Sequence, residues 1–186
     1  MAFDLGSLLQ QYLGGGSSPQ AEQHFDQAAM NTPPDILSGA LASMFRSDQT
    51  PAFGQMDGQL FGQSNPTQQA GMLNAILASL GPAVLGSLLN RSGSGSGGGL
   101  GGLGGLLGQL TGGGSGGVPQ LSPAQASQVT PDEVQILADH AEKTNPSIID
   151  QLSNFYAQHP TLVKTVGSAA LSIALAKIAE VQRTSA

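Results

Sequence analysis

The amino-acid sequence predicts an all-α protein in which two small helical bundles or hairpin sets are joined by a flexible linker rich in glycine and leucine. Three observations predict this class: most prolines stand where helices begin, apolar residues repeat at helical spacing, and β-branched residues are scarce. The first 90 residues contain one valine and two isoleucines beside thirteen leucines. The composition typical of strands is therefore missing.

Prolines mark the predicted helix starts. A proline in the first helical position loses no intrahelical hydrogen bond, and a serine, threonine or asparagine before it can accept from the free amides. Eight of the eleven prolines follow such a residue or a histidine. At three of these helix starts, the N-cap residue and the residue three positions later match a capping box or a close variant of one. These pairs are Ser122 with Gln125, Thr130 with Glu133, and Thr32 with Asp35.

Apolar periodicity places the helices between these starts. Leu37, Leu41 and Phe45, for example, recur at the spacing of one helix face. The predicted helices cover residues 4–12, 19–30, 33–46, 51–62, 66–90 with a break at Gly81-Pro82, 131–143, 146–158 and 160–182, with a short turn at 123–128.

The glycines divide the chain, because 15 of the 27 fall within residues 91–117. Leucines in this run have helical spacing, but each glycine among them costs a helix roughly 1 kcal/mol relative to alanine. We therefore predict a helical domain over 1–90, a low-complexity linker over 91–120 and a second helical domain over 121–186. The last part is small and buries little surface alone, so we expect it to dock on the first half or to self-associate.

Charge and cysteine content exclude several classes of function. Six cationic side chains against twelve anionic ones leave no basic stripe for phosphates, so nucleic acid is not an expected partner. The chain has no cysteine, hence no disulfide, thiolate metal site or thiol nucleophile. The first residues lack the pattern of a secretory signal, so we expect the cytoplasm, with membrane association as the alternative.

Two sequence motifs known from nucleotide-binding proteins and hydrolases occur in the chain, but without the structural context that they require. Gly99, Gly101 and Gly104 satisfy G-x-G-x-x-G, but no strand precedes them and no acidic residue lies about twenty positions on. Ser115 stands in a G-x-S-x-G pattern, but a nucleophile elbow needs a strained turn from strand to helix. A hydrolase that uses Ser115 with a distant histidine would need an ordered linker. We expect no enzyme activity and no cofactor.

The histidines do not predict a metal site. His24 lies two residues from both Glu22 and Asp26, a spacing that puts neither acid on its helix face. His140 has no metal ligand at helical spacing. His159 precedes Pro160 at a helix start, so we expect it to cap that helix or to be exposed.

Gly54, Gly58 and Gly62 form a row on one face of the helix predicted over 51–62. Such a row lets another helix approach closely and is familiar in membrane helix pairs. Glutamines and Asp57 intervene here, so close packing within a soluble bundle is the better interpretation.

The stretch 70–89 is the most ambiguous part of the chain, because twenty residues without a charge are long enough to cross a bilayer. Its polar residues, glycines and Pro82 favour the buried central helix of a bundle instead. Membrane insertion of 70–89, either alone or together with 162–181, is the alternative. In addition to the glycine row, the residues expected to pack in helix interactions are Leu73, Ile76, Leu77, Leu80, Val166 and Ile173.

The run Asn65-Pro66-Thr67-Gln68-Gln69-Ala70-Gly71, which leads into this apolar helix, and the Gly/Leu linker resemble the YidB-like group of small helical bacterial proteins of unknown function. The resemblance covers mainly residues 33–110. It implies a bacterial origin and an all-helical fold, and it brings no catalytic residue. We therefore expect a non-enzymatic interaction or structural protein that acts through apolar helix faces on a protein partner or on copies of itself.

Overall fold

The computed structural model describes residues 20–92 and 120–184, together with Ser7, Tyr12 and Gly105. The described residues form helices and no strand, so the predicted all-α class is confirmed. Apart from Ser7 and Tyr12, the helix predicted over 4–12 lies outside the described residues, as does most of the linker predicted over 91–120. The helices are α1 (Ala21–Asn31), α2 (Pro34–Phe45), α3 (Phe53–Gln63), α4 (Pro66–Ser92), α5 (Pro123–Ala126), α6 (Pro131–Thr144), α7 (Ile148–Gln158), α8 (Pro160–Val163) and α9 (Ser168–Thr184).

Capping boxes fix the starts of α5 and α6 as predicted. The backbone N–H of Glu133 donates to Thr130 Oγ1 at 3.3 Å, and the N–H of Thr130 donates to Glu133 Oε2 at 2.9 Å. At α5, the N–H of Ser122 donates to Gln125 Oε1 at 3.0 Å. These bonds satisfy backbone donors that a helix start leaves without intrahelical partners.

The capping box predicted for Thr32 and Asp35 is wrong. Pro33 is extended, with φ −54° and ψ 143°, and α2 begins only at Pro34. A residue before a proline is kept out of helical conformation by the proline ring, so the second proline moves the start by one position. The hydroxyl of Thr32 is buried and makes no hydrogen bond to any described residue.

Three further starts lie later than predicted, and the first is that of α1, which begins at Ala21 and not at residue 19. The helix expected from residue 51 begins at Phe53, because the hydroxyl of Thr50 donates to the carbonyls of Met44 and Ser47 and so completes the end of α2. The helix expected from residue 146 begins at Ile148.

Two glycines break helices where φ is positive. Gly81 has φ 69° and ψ 164°, so the predicted break in α4 is confirmed. Gly167 has φ 101° and ψ 154°, and it separates α9 from a 3-10 turn at Lys164–Val166 that continues α8. The single helix predicted over 160–182 is therefore wrong. This backbone region is reserved almost entirely for glycine, which has no Cβ.

The chain forms two compact units. Unit 1 comprises residues 1–52 and 149–186. In it α9 packs against α1 and α2, around buried side chains such as Phe25, Leu41 and Leu175. The guanidinium of Arg46 makes two hydrogen bonds to the carboxylate of Asp150, at 3.0 and 2.8 Å.

Unit 2 comprises residues 53–148. In it α6 packs along α3, and α4 contacts α3, α5 and α6. The side-chain amide of Asn74 on α4 holds the backbone of Leu121: Oδ1 accepts from its N–H at 2.7 Å, and Nδ2 donates to its carbonyl at 3.1 Å. The start of the second described segment is thus attached to the middle of α4.

These units do not coincide with the regions predicted from composition. Each unit combines helices from before and after the glycine-rich run, and that run is a connection within unit 2. Of the two outcomes expected for the carboxyl-terminal part, docking on helices of the first half is the one observed, since α9 packs on α2 and α6 packs on α3.

Candidate functional site

The glycine row of α3 lies directly against α6. A Cβ atom added to Gly54 would collide with the carboxylate of Asp139 and would lie 2.7 Å from the carbonyl oxygen of Gln135. One added to Gly58 would lie 2.8 Å from the carbonyl oxygen of Pro131. Real Cβ atoms do not approach backbone so closely, so these glycines allow α3 and α6 to pack closely within unit 2.

Gly62 lies near the end of α3, beside Pro131, the first residue of α6. It is exposed, and a Cβ atom there would lie 3.2 Å from Cγ of Pro131, a contact that a small shift relieves. An open groove with a volume of about 390 Å³ lies along this part of the α3–α6 pair. Its polar lining consists of Gln55, Gln59, Gln63, Gln135 and Asp132.

The side chains of this lining take no part in holding the fold. Gln55, Gln59, Gln63 and Asp132 are exposed and Gln135 is half-buried, and none of them forms a side-chain hydrogen bond within the described part of the chain. Each glutamine amide offers one acceptor and two donors. The residues that line the groove therefore carry four neutral side-chain amides and one carboxylate, that of Asp132.

Sequence reasoning identified the glycine row but not this groove. Gln55, Gln59 and Gln63 recur every four residues, so their common face could be read from the sequence. The second wall comes from Pro131, Asp132 and Gln135, about 75 residues away in the chain. No local pattern indicates that α6 packs on α3.

The apolar residues predicted to mediate interactions are buried to different degrees. Leu73, Ile76, Leu77 and Leu80 are buried in unit 2, whereas Val166 and Ile173 are half-buried in unit 1. Among the described residues, the only large apolar side chains classed as exposed are Met30 and Ile136. The described surface therefore offers no continuous apolar helix face.

The histidines form local contacts. Nδ1 of His24 lies 2.6 Å from the hydroxyl of Tyr12, which is buried. His159 is the N-cap residue of α8, but its side chain makes no capping hydrogen bond: its Nδ1 is 2.9 Å from the carbonyl oxygen of Phe155, and its ring packs on the Phe155 ring. Among the described residues, no group of three or more histidines and acids could hold a metal ion.

Two groups of predicted features remain, which are the enzyme motifs and the membrane segments. The pattern around Ser115, and that of Gly99, Gly101 and Gly104, lie outside the described residues. Among the described helices, none combines the length and apolar character that a membrane crossing requires.

Comparison with known proteins found no match to a family model, a curated protein or a solved structure. The resemblance to the YidB-like group therefore stays a prediction.

Proposed function

We propose that this chain is a non-enzymatic helical interaction protein whose binding surface is the groove between α3 and α6. The observation that carries the proposal is the set of glutamine residues that line an open volume of about 390 Å³ and whose side-chain amides make no hydrogen bond within the described part of the chain. A volume of this size lies in the range of binding sites. The groove takes the place of the apolar faces expected from the sequence, because Leu73, Ile76, Leu77 and Leu80 are packed inside unit 2.

The walls of the groove are well suited to binding because packing fixes their relative position. Gly54 and Gly58 hold the two helices at backbone contact, and the Thr130–Glu133 capping box fixes the first turn of α6. A surface that is ordered before binding loses less conformational entropy on association. On the protein side, the conformational entropy lost on binding is then mainly that of exposed side chains such as Gln59 and Asp132.

Unbiased peptide selection tests this function with the full-length protein as bait. We expect random dodecapeptides to be enriched by the wild-type chain and lost with Gln59→Arg, which places a long cation in the groove. Gln23→Arg is the matched control, because Gln23 is exposed on α1 in unit 1. Sedimentation equilibrium of the same three proteins tests whether a second copy occupies the groove. The proposal is wrong if neither peptide binding nor self-association differs between the Gln59 variant and the control.

A further inference from the structure

The glutamines of α3 give the groove a regular repeat. Gln55, Gln59 and Gln63 are four residues apart, which separates them by roughly 6 Å along the helix axis. Each amide can donate and accept at the same time. The α3 positions that line one wall of the groove therefore carry an amide, which is both donor and acceptor, about every 6 Å.

An extended polypeptide has nearly the same repeat along each of its edges. Successive residues of a strand turn their backbone N–H and C=O groups to opposite edges, so the groups on one edge recur every two residues, about 6.6–6.8 Å. The two repeats differ by about a tenth. Over three glutamines the mismatch stays within what flexible side chains can accommodate.

The rest of the lining restricts the chemistry of the ligand. The described residues around the groove contribute one carboxylate, Asp132, and neither a cation nor an aromatic ring. An anionic ligand would find no opposite charge to pair with, and a sugar or base would find no aromatic face. A basic side chain beside Asp132 would gain a surface ion pair.

We propose that the groove binds an extended segment of another polypeptide by main-chain hydrogen bonds to Gln55, Gln59 and Gln63, with a basic residue of that segment beside Asp132. This inference rests on the binding function proposed above and adds the conformation and charge of the ligand. Recognition of the main chain provides affinity, and Asp132 provides a preference among sequences.

A synthetic dodecapeptide of alternating threonine and serine with one lysine is a suitable probe, because threonine favours extended backbone. Its binding to the full-length protein is measured by fluorescence polarisation while single backbone amides are replaced by esters, one position at a time. Each ester removes one N–H donor. We expect losses of about twofold to tenfold at every second central position and little change between them. Equal losses at neighbouring positions, or no binding at all, would overturn the proposal.

Variants of the protein provide the complementary test. Gln59→Met removes an amide at nearly constant volume, and we expect it to weaken probe binding by about twofold to tenfold. Gln23→Met on α1 should leave binding unchanged, and thermal unfolding of both variants should match the wild type. Asp132→Asn should reduce the preference for the lysine probe over its alanine analogue by about twofold to fivefold. No effect of Gln59→Met overturns the proposal.

Two alternative occupants give distinct results. Competition by maltohexaose would indicate a sugar site, and dimerisation through the groove that the probe cannot displace would indicate a second copy; either overturns the extended-peptide proposal. If selected peptides need the groove but show neither the alternating ester pattern nor the lysine preference, the extended ligand is wrong and the binding function stands. If nothing that binds needs the groove, both are wrong.

Discussion

Buried or half-buried hydroxyl groups with and without a hydrogen-bond partner should contribute to the stability of the fold with opposite sign. Thr32 Oγ1 and Ser153 Oγ are buried without a hydrogen bond in the described structure, whereas Thr50 Oγ1 donates to two backbone carbonyls at 2.9 and 2.8 Å. A buried polar group without a partner costs about 1–3 kcal/mol in desolvation, and a satisfied one contributes about 0.5–1.5 kcal/mol. The same chemical change should therefore act in opposite directions at these threonines.

Thr32→Val tests this difference directly. It keeps the side-chain shape, removes the hydroxyl and suits the extended backbone of Thr32, at φ −106° and ψ 133°. We expect the free energy of unfolding to rise by about 1 kcal/mol, measured by urea denaturation. Thr50→Val is the matched control and should lower it by a similar amount. A loss of stability with Thr32→Val would show that its hydroxyl has a bonding role.

Gly167 provides a second prediction at the scale of one residue. Its φ of 101° is strained for any residue with a Cβ, although no atom lies within 4 Å of the place where that Cβ would be. Gly167→Ala should therefore lower the free energy of unfolding by about 1–3 kcal/mol through backbone strain alone. Gly39→Ala, at an equally open position inside α2, should raise it by about 0.5–1 kcal/mol. Equal effects of the two substitutions in a thermal denaturation experiment would contradict this explanation.

At the scale of elements, the glycine row predicts that replacing a glycine of α3 by alanine lowers stability by an amount that depends on its position. The hypothetical Cβ of Gly58 meets a backbone carbonyl at 2.8 Å, which only a shift of α6 can relieve, whereas that of Gly62 meets a proline ring atom at 3.2 Å. Overpacking of this kind costs about 1–3 kcal/mol, partly offset by the higher helix propensity of alanine.

We therefore expect Gly58→Ala to lower the free energy of unfolding by about 1–2 kcal/mol and Gly62→Ala to change it by less than about 0.5 kcal/mol. Urea denaturation measures both. Because the groove lies on the same helix pair, Gly58→Ala should also weaken peptide binding. Stability losses of equal size would mean that close approach of α6 is not what requires glycine in this row.

Local sequence signals account for most of the helices but not for all of their bounds. The existence of most helices and the break at Gly81 could be predicted, because capping residues, prolines and apolar spacing are local signals. The start of α2 was misplaced because two adjacent prolines compete for the first helical position, and the break at Gly167 was missed because a glycine inside an apolar pattern is ambiguous. For the groove, the glutamine spacing was readable, but the wall from α6 depends on tertiary packing.

For the whole molecule, the arrangement of the units changes the interpretation of the glycine-rich run. A linker between two independent domains would leave each half of the chain with its own core. Here unit 1 combines residues 1–52 with 149–186, and unit 2 contains both α3 and α4 from before the run and α5 and α6 after it. The two halves of the chain are thus expected to depend on each other for their cores.

Cleavage of the chain inside the glycine-rich run tests this dependence. A specific protease site inserted at residue 105 would divide the chain into fragments that each contribute helices to both units. We expect the fragments to stay together after cleavage and to elute with the same mass as the uncut protein, whose single chain is 18.7 kDa, in size-exclusion chromatography with light scattering. Cleavage removes only the covalent connection, so the cut protein should unfold at lower urea concentration and separate in denaturant. Fragments that separate under native conditions and remain helical would instead support two independent domains joined by a linker, because each half would then have formed its own core.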